Sequence, residues 1–177
     1  MNKKFFLFLP FAAFLLMAAL FFALLSKERT PSVVPSALVG KAMPAFALAS
    51  GLEEVDGFSS AALPSSPFVV NFFASWCLSC QAEQKVFAAV AEDYPVFGIA
   101  YKDKPEDLEK WLAAHGNPFR AIGSDKGGGV AIDWGVTGVP ETFIVDGKGI
   151  IRHKHTGPVM QETYDAVLKP LLRELEK

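Results

Sequence analysis

The sequence predicts an α/β domain with a central mixed sheet flanked by helices, preceded by one N-terminal transmembrane helix. Three observations carry this expectation. Two nearly continuous apolar runs, 68–73 and 96–101, read as strands buried on both faces. Helical patterns follow each of them, and a hairpin pattern and a last helix close the chain. An uncharged apolar run from Phe5 to Leu25, broken only by Pro10, opens it.

At about 1.5 Å per residue, the opening run is long enough to cross a hydrocarbon core of roughly 30 Å. Lys3 and Lys4 precede it and favour a cytoplasmic N-terminus with the rest on the far side. A cleaved signal peptide is the rival. Its apolar stretch is normally about 7–15 residues and ends at a small-x-small site. Leu24-Leu25-Ser26-Lys27 offers no such site, so a retained anchor is favoured. The expected organisation is an anchor over 1–25, a polar, proline-containing linker over 26–38, and one domain over 39–177. Lysine and arginine number 17 against 19 acidic residues, giving a net charge of −2. The charges are interspersed, and nothing points to nucleic-acid binding.

Within the domain, 40–48 reads as a lead-in loop with a short edge strand. Residues 51–66, rich in Gly, Ser and Pro, read as loops with room for a hairpin. After the first buried strand a helix is expected over 78–92, with Val86, Phe87, Val90 and Ala91 on one face. After the second, Pro105 starts a helix whose first turn carries Glu106 and Asp107, and Gly116 ends it. Residues 119–122 suggest a short strand. Gly127-Gly128-Gly129 leads into a short helix through Asp133 and Trp134. Residues 142–145 and 150–155 flank the Gly-containing turn Asp146-Gly147-Lys148-Gly149 as a hairpin. The last helix is expected over 161–176, with Pro170 as a kink or break.

Trp76-Cys77-Leu78-Ser79-Cys80 holds both cysteines of the chain. A strand leading into Cys-x-x-Cys at a helix start is the layout of a thiol–disulfide exchange site. The first sulfur then lies at the positive end of the helix dipole, which favours thiolate. Its pKa falls from about 8.5 toward roughly 3.5–7.5. The second cysteine can close a small ring and release a mixed disulfide. Two other readings stand beside this one. A structural disulfide across so short a loop stabilises little by chain entropy. Zinc needs about four ligands, and His115, His153 and His155 are distant in sequence.

The other informative segment is Thr137-Gly138-Val139-Pro140-Glu141-Thr142. Pro140 precedes a strand, where it cannot act as a ladder donor. A cis bond there would suit a close approach to the cysteine pair, at the C-terminal end of the first buried strand, where α/β sites collect.

Trp-Cys-x-x-Cys after an apolar strand, with Gly-Val-x-Gly-x-Pro-Glu-Thr-Phe about sixty residues later, resembles the thioredoxin-like proteins. More narrowly, over about residues 40–177, it resembles the membrane-anchored CcmG/DsbE thiol–disulfide interchange group of cytochrome c maturation. Asp146-Gly147-Lys148-Gly149-Ile150-Ile151-Arg152 and the opening apolar run strengthen that narrower likeness. The resemblance implies a thioredoxin-like fold, cis Pro140, Cys77 as nucleophile and Cys80 as buried resolving thiol. It implies a functional acid at Glu83, against the alternative of a solvated helix residue. It places Glu141 close to the same surface, where an acid could raise the Cys80 pKa or move its proton. Asn71 stands where ordinary thioredoxins carry a buried aspartate. Trp76 is implied to shield the disulfide, the alternative being a core aromatic. Asp133 reads as a helix-end residue and no more. Leu78-Ser79 and Val139 depart from the dipeptide and the small pre-proline residue common in the group, which bears on reducing power and partner fit.

The function implied is that of a single-pass protein of the bacterial inner membrane with its catalytic domain in the periplasm. It would reduce disulfides of apocytochrome c or its carrier, fed by a membrane electron donor of the DsbD or CcdA kind. No cofactor beyond the redox-active Cys77–Cys80 disulfide, and no metal, is expected. The alternatives are a general TlpA-like periplasmic thiol reductase and a peroxidase of the peroxiredoxin type. A third is a non-catalytic apocytochrome or haem chaperone, for which His153 and His155 on one strand face would be the contacts, though the favoured reading of that pair is of solvated strand residues.

Overall fold

A computed structural model describes residues 3–26, 36–52 and 57–177, with side chains of the first helix described over 10–22. The chain divides into two units, Met1–Val34 and Pro35–Lys177. The first contains helix α1 (Lys3–Ser26), which runs through Pro10. Among the described residues no helix is long and apolar enough to cross a membrane. Most of the expected linker, 27–35, lies outside the described residues.

In the second unit the apolar runs become strands because their side chains can be buried on both sides. All six residues of β3 (Phe68–Phe73) are buried, as are five of six in β4 (Val96–Tyr101). A small antiparallel pair, β1 (Ala47–Leu48) and β2 (Phe58–Ser59), precedes them. The remaining strands are β5 (Ala121–Asp125), β6 (Glu141–Val145) and β7 (Ile151–Thr156). The sheet order is β5-β4-β3-β6-β7. β3, β4 and β5 run parallel, and β6 and β7 are antiparallel additions. This is a mixed sheet with β3 at its centre.

Helices α2 (Leu78–Asp93), α3 (Pro105–His115) and α4 (Gly129–Asp133) follow β3, β4 and β5. Pro105 supplies a preset φ at the start of α3, and Gly116 leaves it at φ 92°, a region open to glycine. One core layer packs Val69 and Phe73 with Phe87, Val90, Leu108, Leu112, Tyr164 and Leu168. The other packs Phe68, Val70 and Phe72 with Phe97, Trp134 and Phe143. Alternation along β3 therefore sends odd-numbered residues toward one layer and even-numbered ones toward the other. Gly98 in β4 is required by packing. A Cβ there would lie 2.7 Å from Phe73 and 3.0 Å from Phe119, whose rings stack at 4.5 Å.

Two elements differ from expectation. The fifth strand starts later and runs further than 119–122. Gly123, Ser124 and Asp125 are poor strand formers, but parallel pairing with Ile99, Ala100 and Tyr101 extends it. The final segment does not break at Pro170. Helical residues Gln161–Thr163 (α5) pass into a π turn, Tyr164–Leu168, and then α6 (Lys169–Leu175). Widening the turn just before Pro170 relieves the ring's clash with the preceding carbonyls, and the helical path continues.

Candidate active site

The parallel strand β3 ends at Phe73, and Ala74–Trp76 carry the chain to Cys77, the N-cap of α2. Cys77 and Cys80 are joined in a disulfide with their Cα atoms 5.4 Å apart. Cys77 is 6% exposed and Cys80 is fully buried. The Cys80 amide donates to Cys77 Sγ at 3.2 Å, and Ser79 Oγ is 3.3 Å from the same sulfur. An amide aimed at that sulfur from the first turn of a helix stabilises negative charge there once the disulfide is reduced.

The Val139–Pro140 bond is cis. It sets Val139 O 3.6 Å from Cys77 Sγ. Gly157 N donates to Pro140 O at 2.9 Å, which holds the β7–α5 loop against this turn. The two segments that stood out in the sequence, 76–80 and 137–142, therefore meet at Cys77.

One turn after Cys80, Glu83 is fully buried. It accepts from Asn71 Nδ2 at 3.0 Å and from Val159 N at 2.9 Å. Asn71 Nδ2 also donates to Thr142 Oγ1 at 3.1 Å. Burial pushes the Glu83 carboxyl up to about 8, against the opposing pull of its two hydrogen-bond donors, Val159 and Asn71. Its donors are neutral, and among the described residues no cation lies within 4.0 Å of it. The reading of Glu83 as a solvated helix residue is thus excluded. Thr142 and the Val159 amide are partners the sequence did not reveal. The Thr142 contact depends on register, because Asn71 lies opposite Thr142 in the β3–β6 pair, and the Val159 amide comes from the loop after β7.

Glu141 belongs elsewhere. It pairs with Phe72 across β3–β6, so its side chain faces the opposite layer from Asn71 and Thr142. Its Oε1 accepts from Thr137 Oγ1 at 2.6 Å and Thr137 N at 3.2 Å. Its Oε2 is 2.9 Å from Lys154 Nζ. The expectation that Glu141 shares a surface with Glu83 is corrected by this single-residue alternation.

Trp76 is 60% exposed, so the core-aromatic reading does not hold. Its Nε1 donates to Lys102 O at 3.4 Å. The loop before Cys77 is tied down by a residue the sequence did not single out. Asp103 accepts from Ser75 N at 2.6 Å and from Ser75 Oγ at 2.7 Å. His153 and His155 both lie on one face of β7, opposite Ile144 and Thr142, and both are half-buried. Burial, and secondly the neighbouring His155, holds the His153 imidazole below its usual value. His155 Nε2 is 3.4 Å from Pro158 O. Asp133 ends α4 and is exposed.

A strand–turn–helix with a paired cysteine at the helix start, opposed by a cis-proline turn, defines a thioredoxin-like thiol–disulfide oxidoreductase. The model of the AhpC/TSA family matches residues 39–154. The chain is 40% identical over 147 residues to the thiol:disulfide interchange protein DsbE homolog of Paracoccus denitrificans, covering 83% of this chain and 80% of that one. It is 39% identical over 174 residues to the thiol:disulfide interchange protein DsbE of Pseudomonas aeruginosa, covering 98% and 96%. A solved structure, a secreted Mycobacterium tuberculosis disulfide oxidoreductase homologous to E. coli DsbE, superimposes with a TM-score of 0.59 at 20% identity. It covers 73% of this chain and 96% of its own, and this likeness shows the fold. The chain belongs to the AhpC/TSA family and, within it, to the DsbE-type thiol:disulfide interchange proteins.

Proposed function

We propose that this protein reduces disulfides of apocytochrome c or its carrier on the periplasmic side of the bacterial inner membrane. The observation that carries the reading is the pairing of a nearly buried Cys77 at the α2 N-cap with a wholly buried Cys80. That asymmetry supports Cys77 as the attacking thiol and Cys80 as the releasing one. In the reduced enzyme the Cys77 thiolate attacks one sulfur of the client disulfide. A mixed disulfide forms and the client's other sulfur leaves as a thiolate. Cys80, losing its proton, then attacks Cys77 Sγ. The client departs as a dithiol, and the enzyme holds the two electrons' worth of oxidation as Cys77–Cys80.

Cys80 must lose a proton inside the fold, and Glu83 is the nearby buried acid on the same helix. A carboxyl with a pKa of about 8 lies near the ordinary thiol value of about 8.5, a range in which proton exchange between such groups costs little. Asn71 and Val159 N position it. Trp76 covers the approach to Cys77. Glu141 holds the 137–141 turn in shape through Thr137, and so supports Pro140 indirectly. No cofactor is needed, because the disulfide is itself the redox group.

Anchoring rests on the sequence run Phe5–Leu25 and on its helical form. Phe11, Phe14, Leu16, Leu20 and Phe22 of α1 are all more than half exposed. A helix apolar on all sides favours a nonpolar surround. The periplasm is oxidising, so re-reduction calls for electrons from a membrane donor of the DsbD or CcdA kind.

The test is the reduction potential of the pair, by equilibrium with dithiothreitol and glutathione. A value of roughly −200 mV or below is expected for a reductant fed by such a donor. A value near about −120 mV, that of a strong oxidant, overturns the reading. Loss of cytochrome c alone on deletion separates it from a general reductase. Absence of hydrogen peroxide consumption separates it from a peroxidase.

A further inference from the structure

Beside the cysteine pair, on the Trp76 side, lies a groove of about 510 Å³ between the 75–76 turn and the start of α3. Trp76 forms one wall, and the buried Trp111 lies beneath. Lys102, Lys104 and Lys110 line it together with Asp107. Asp103 is the other acid there, but it is 8% exposed and both of its oxygens are used. Oδ2 takes Ser75 N, and Oδ1 takes Ser75 Oγ and Lys104 N.

The lysines are the unusual part. All three are exposed. Among the described residues, none of their Nζ atoms has a carboxylate oxygen within 4.0 Å. Lys102 is held in place, with φ 48° and its Nζ 5.1 Å from the centre of the Tyr101 ring. Asp103 is held by neutral donors in the turn it fixes, so Asp103 and Asp107 together oppose three cations and the groove keeps a net positive bias. A positively biased groove with an exposed indole, directly before the attacking cysteine, offers charge and flat apolar contact to an anionic chain.

We propose that this groove is a specificity subsite for an extended client segment that carries acidic side chains within a few residues of its reactive cysteine. The inference rests on the exchange reaction proposed above, and adds which clients that reaction favours. The client's carboxylates meet Lys104 and Lys110, while its apolar atoms cover Trp76. The contact is solvent-exposed, so it acts on encounter and weakens with salt.

The experiment uses the reduced full-length protein in detergent and two peptides, each with an internal Cys-x-x-Cys disulfide. One peptide is flanked by glutamates and the other by lysines. Second-order rates of peptide reduction are measured, each divided by the same peptide's rate with dithiothreitol. That ratio removes the effect of flanking charge on leaving-group reactivity. The glutamate peptide is expected to react about fivefold faster than the lysine peptide at low salt, the scale of a few exposed ion pairs. Lys104→Glu/Lys110→Glu is expected to abolish or invert the preference. Lys104→Gln/Lys110→Gln, checked by circular dichroism, serves if the reversed variant fails to fold. Equal normalised rates, or a preference that survives the lysine changes, overturn the subsite. Failure of the unaltered protein to exchange with dithiothreitol itself would instead overturn the proposed reaction.

Discussion

Glu83 and Glu141 are both fully buried glutamates on the two sides of one sheet, and they have opposite company. Glu83 meets an amide side chain and a backbone N–H. Glu141 meets an ammonium group and a threonine hydroxyl. Burial without a cation leaves the charged form of Glu83 poorly supported, and its pKa rises to about 8. Burial with a cation makes Glu141 half of an ion pair that ties β6 to β7. The same side chain thus has its neutral form favoured in one layer and is ion-paired in the other.

The largest expected effect comes from breaking the fastening. Lys154→Met would leave the Glu141 carboxylate buried without its cation. The cost expected is about 3–5 kcal/mol, read as a fall in the denaturant midpoint at pH 7. Lys154 Nζ also donates to Gly135 O at 2.7 Å, so its loss loosens the turn before Pro140, and the cysteine pair's exchange rate should fall with it. A loss under about 1 kcal/mol would mean that Lys154 is screened by water and that the two glutamates differ less than their partners suggest.

Next is the pH dependence of Glu83. Its folded pKa is raised from 4.5 to about 8. Below 4.5 both folded and unfolded states hold the proton, and the full stability is present. As pH rises from 4.5 toward 8, the unfolded chain releases its proton while the folded one keeps it, so stability falls. Above the folded value the loss is complete. Glu83→Gln removes this slope. The difference between the two proteins should reach on the order of a few kcal/mol across that window. In rapid-mixing experiments the release of the mixed disulfide should show an inflection near 8 that Glu83→Gln lacks. Parallel stability curves for the two proteins would refute a neutral, buried Glu83.

Much of the fold was legible because its signals are local. β3 and β4 are apolar runs long enough to be read without their neighbours, and α3 carries its own start and stop. β5 was legible only in part, because pairing with β4 overrides weak propensities at Gly123 and Ser124. The π turn before Pro170 arises from fitting a helix past a proline, and no residue announces it. At the site, Cys77, Cys80 and Pro140 lie in motifs. The separation of Glu83 from Glu141 does not, because it depends on one residue of register between β3 and β6. The same holds for Asp103, which reaches Ser75 from a strand end 28 residues later.

Thr137→Ala is a smaller cut on the Glu141 side. It removes the 2.6 Å hydroxyl bond and keeps the ion pair. A hydrogen bond to a charged group contributes about 1.5–3 kcal/mol, and the surviving Thr137 N–H contact at 3.2 Å recovers part of it. Thermal unfolding should show a loss at the low end of that range, with no new pH dependence. A loss that appears only at one end of the pH scale would place the carboxylate's charge, rather than its geometry, at the centre of the fastening.

The smallest effect expected is from Thr142→Val. It takes one acceptor from Asn71 Nδ2 and leaves the bond to Glu83. Shape is nearly kept, but the amide is left with one unpaired buried N–H. About 1 kcal/mol should be lost. The pH inflection should remain near 8, because burial sets it and burial is unchanged. Glu83 would thereby be separated from its surroundings: stability would move while the proton stays. If the inflection moved instead, Thr142 would be acting through Asn71 on the carboxyl. The proton-exchanging unit would then be the three-residue cluster, and the contrast with Glu141 would lie between two networks and not between two side chains.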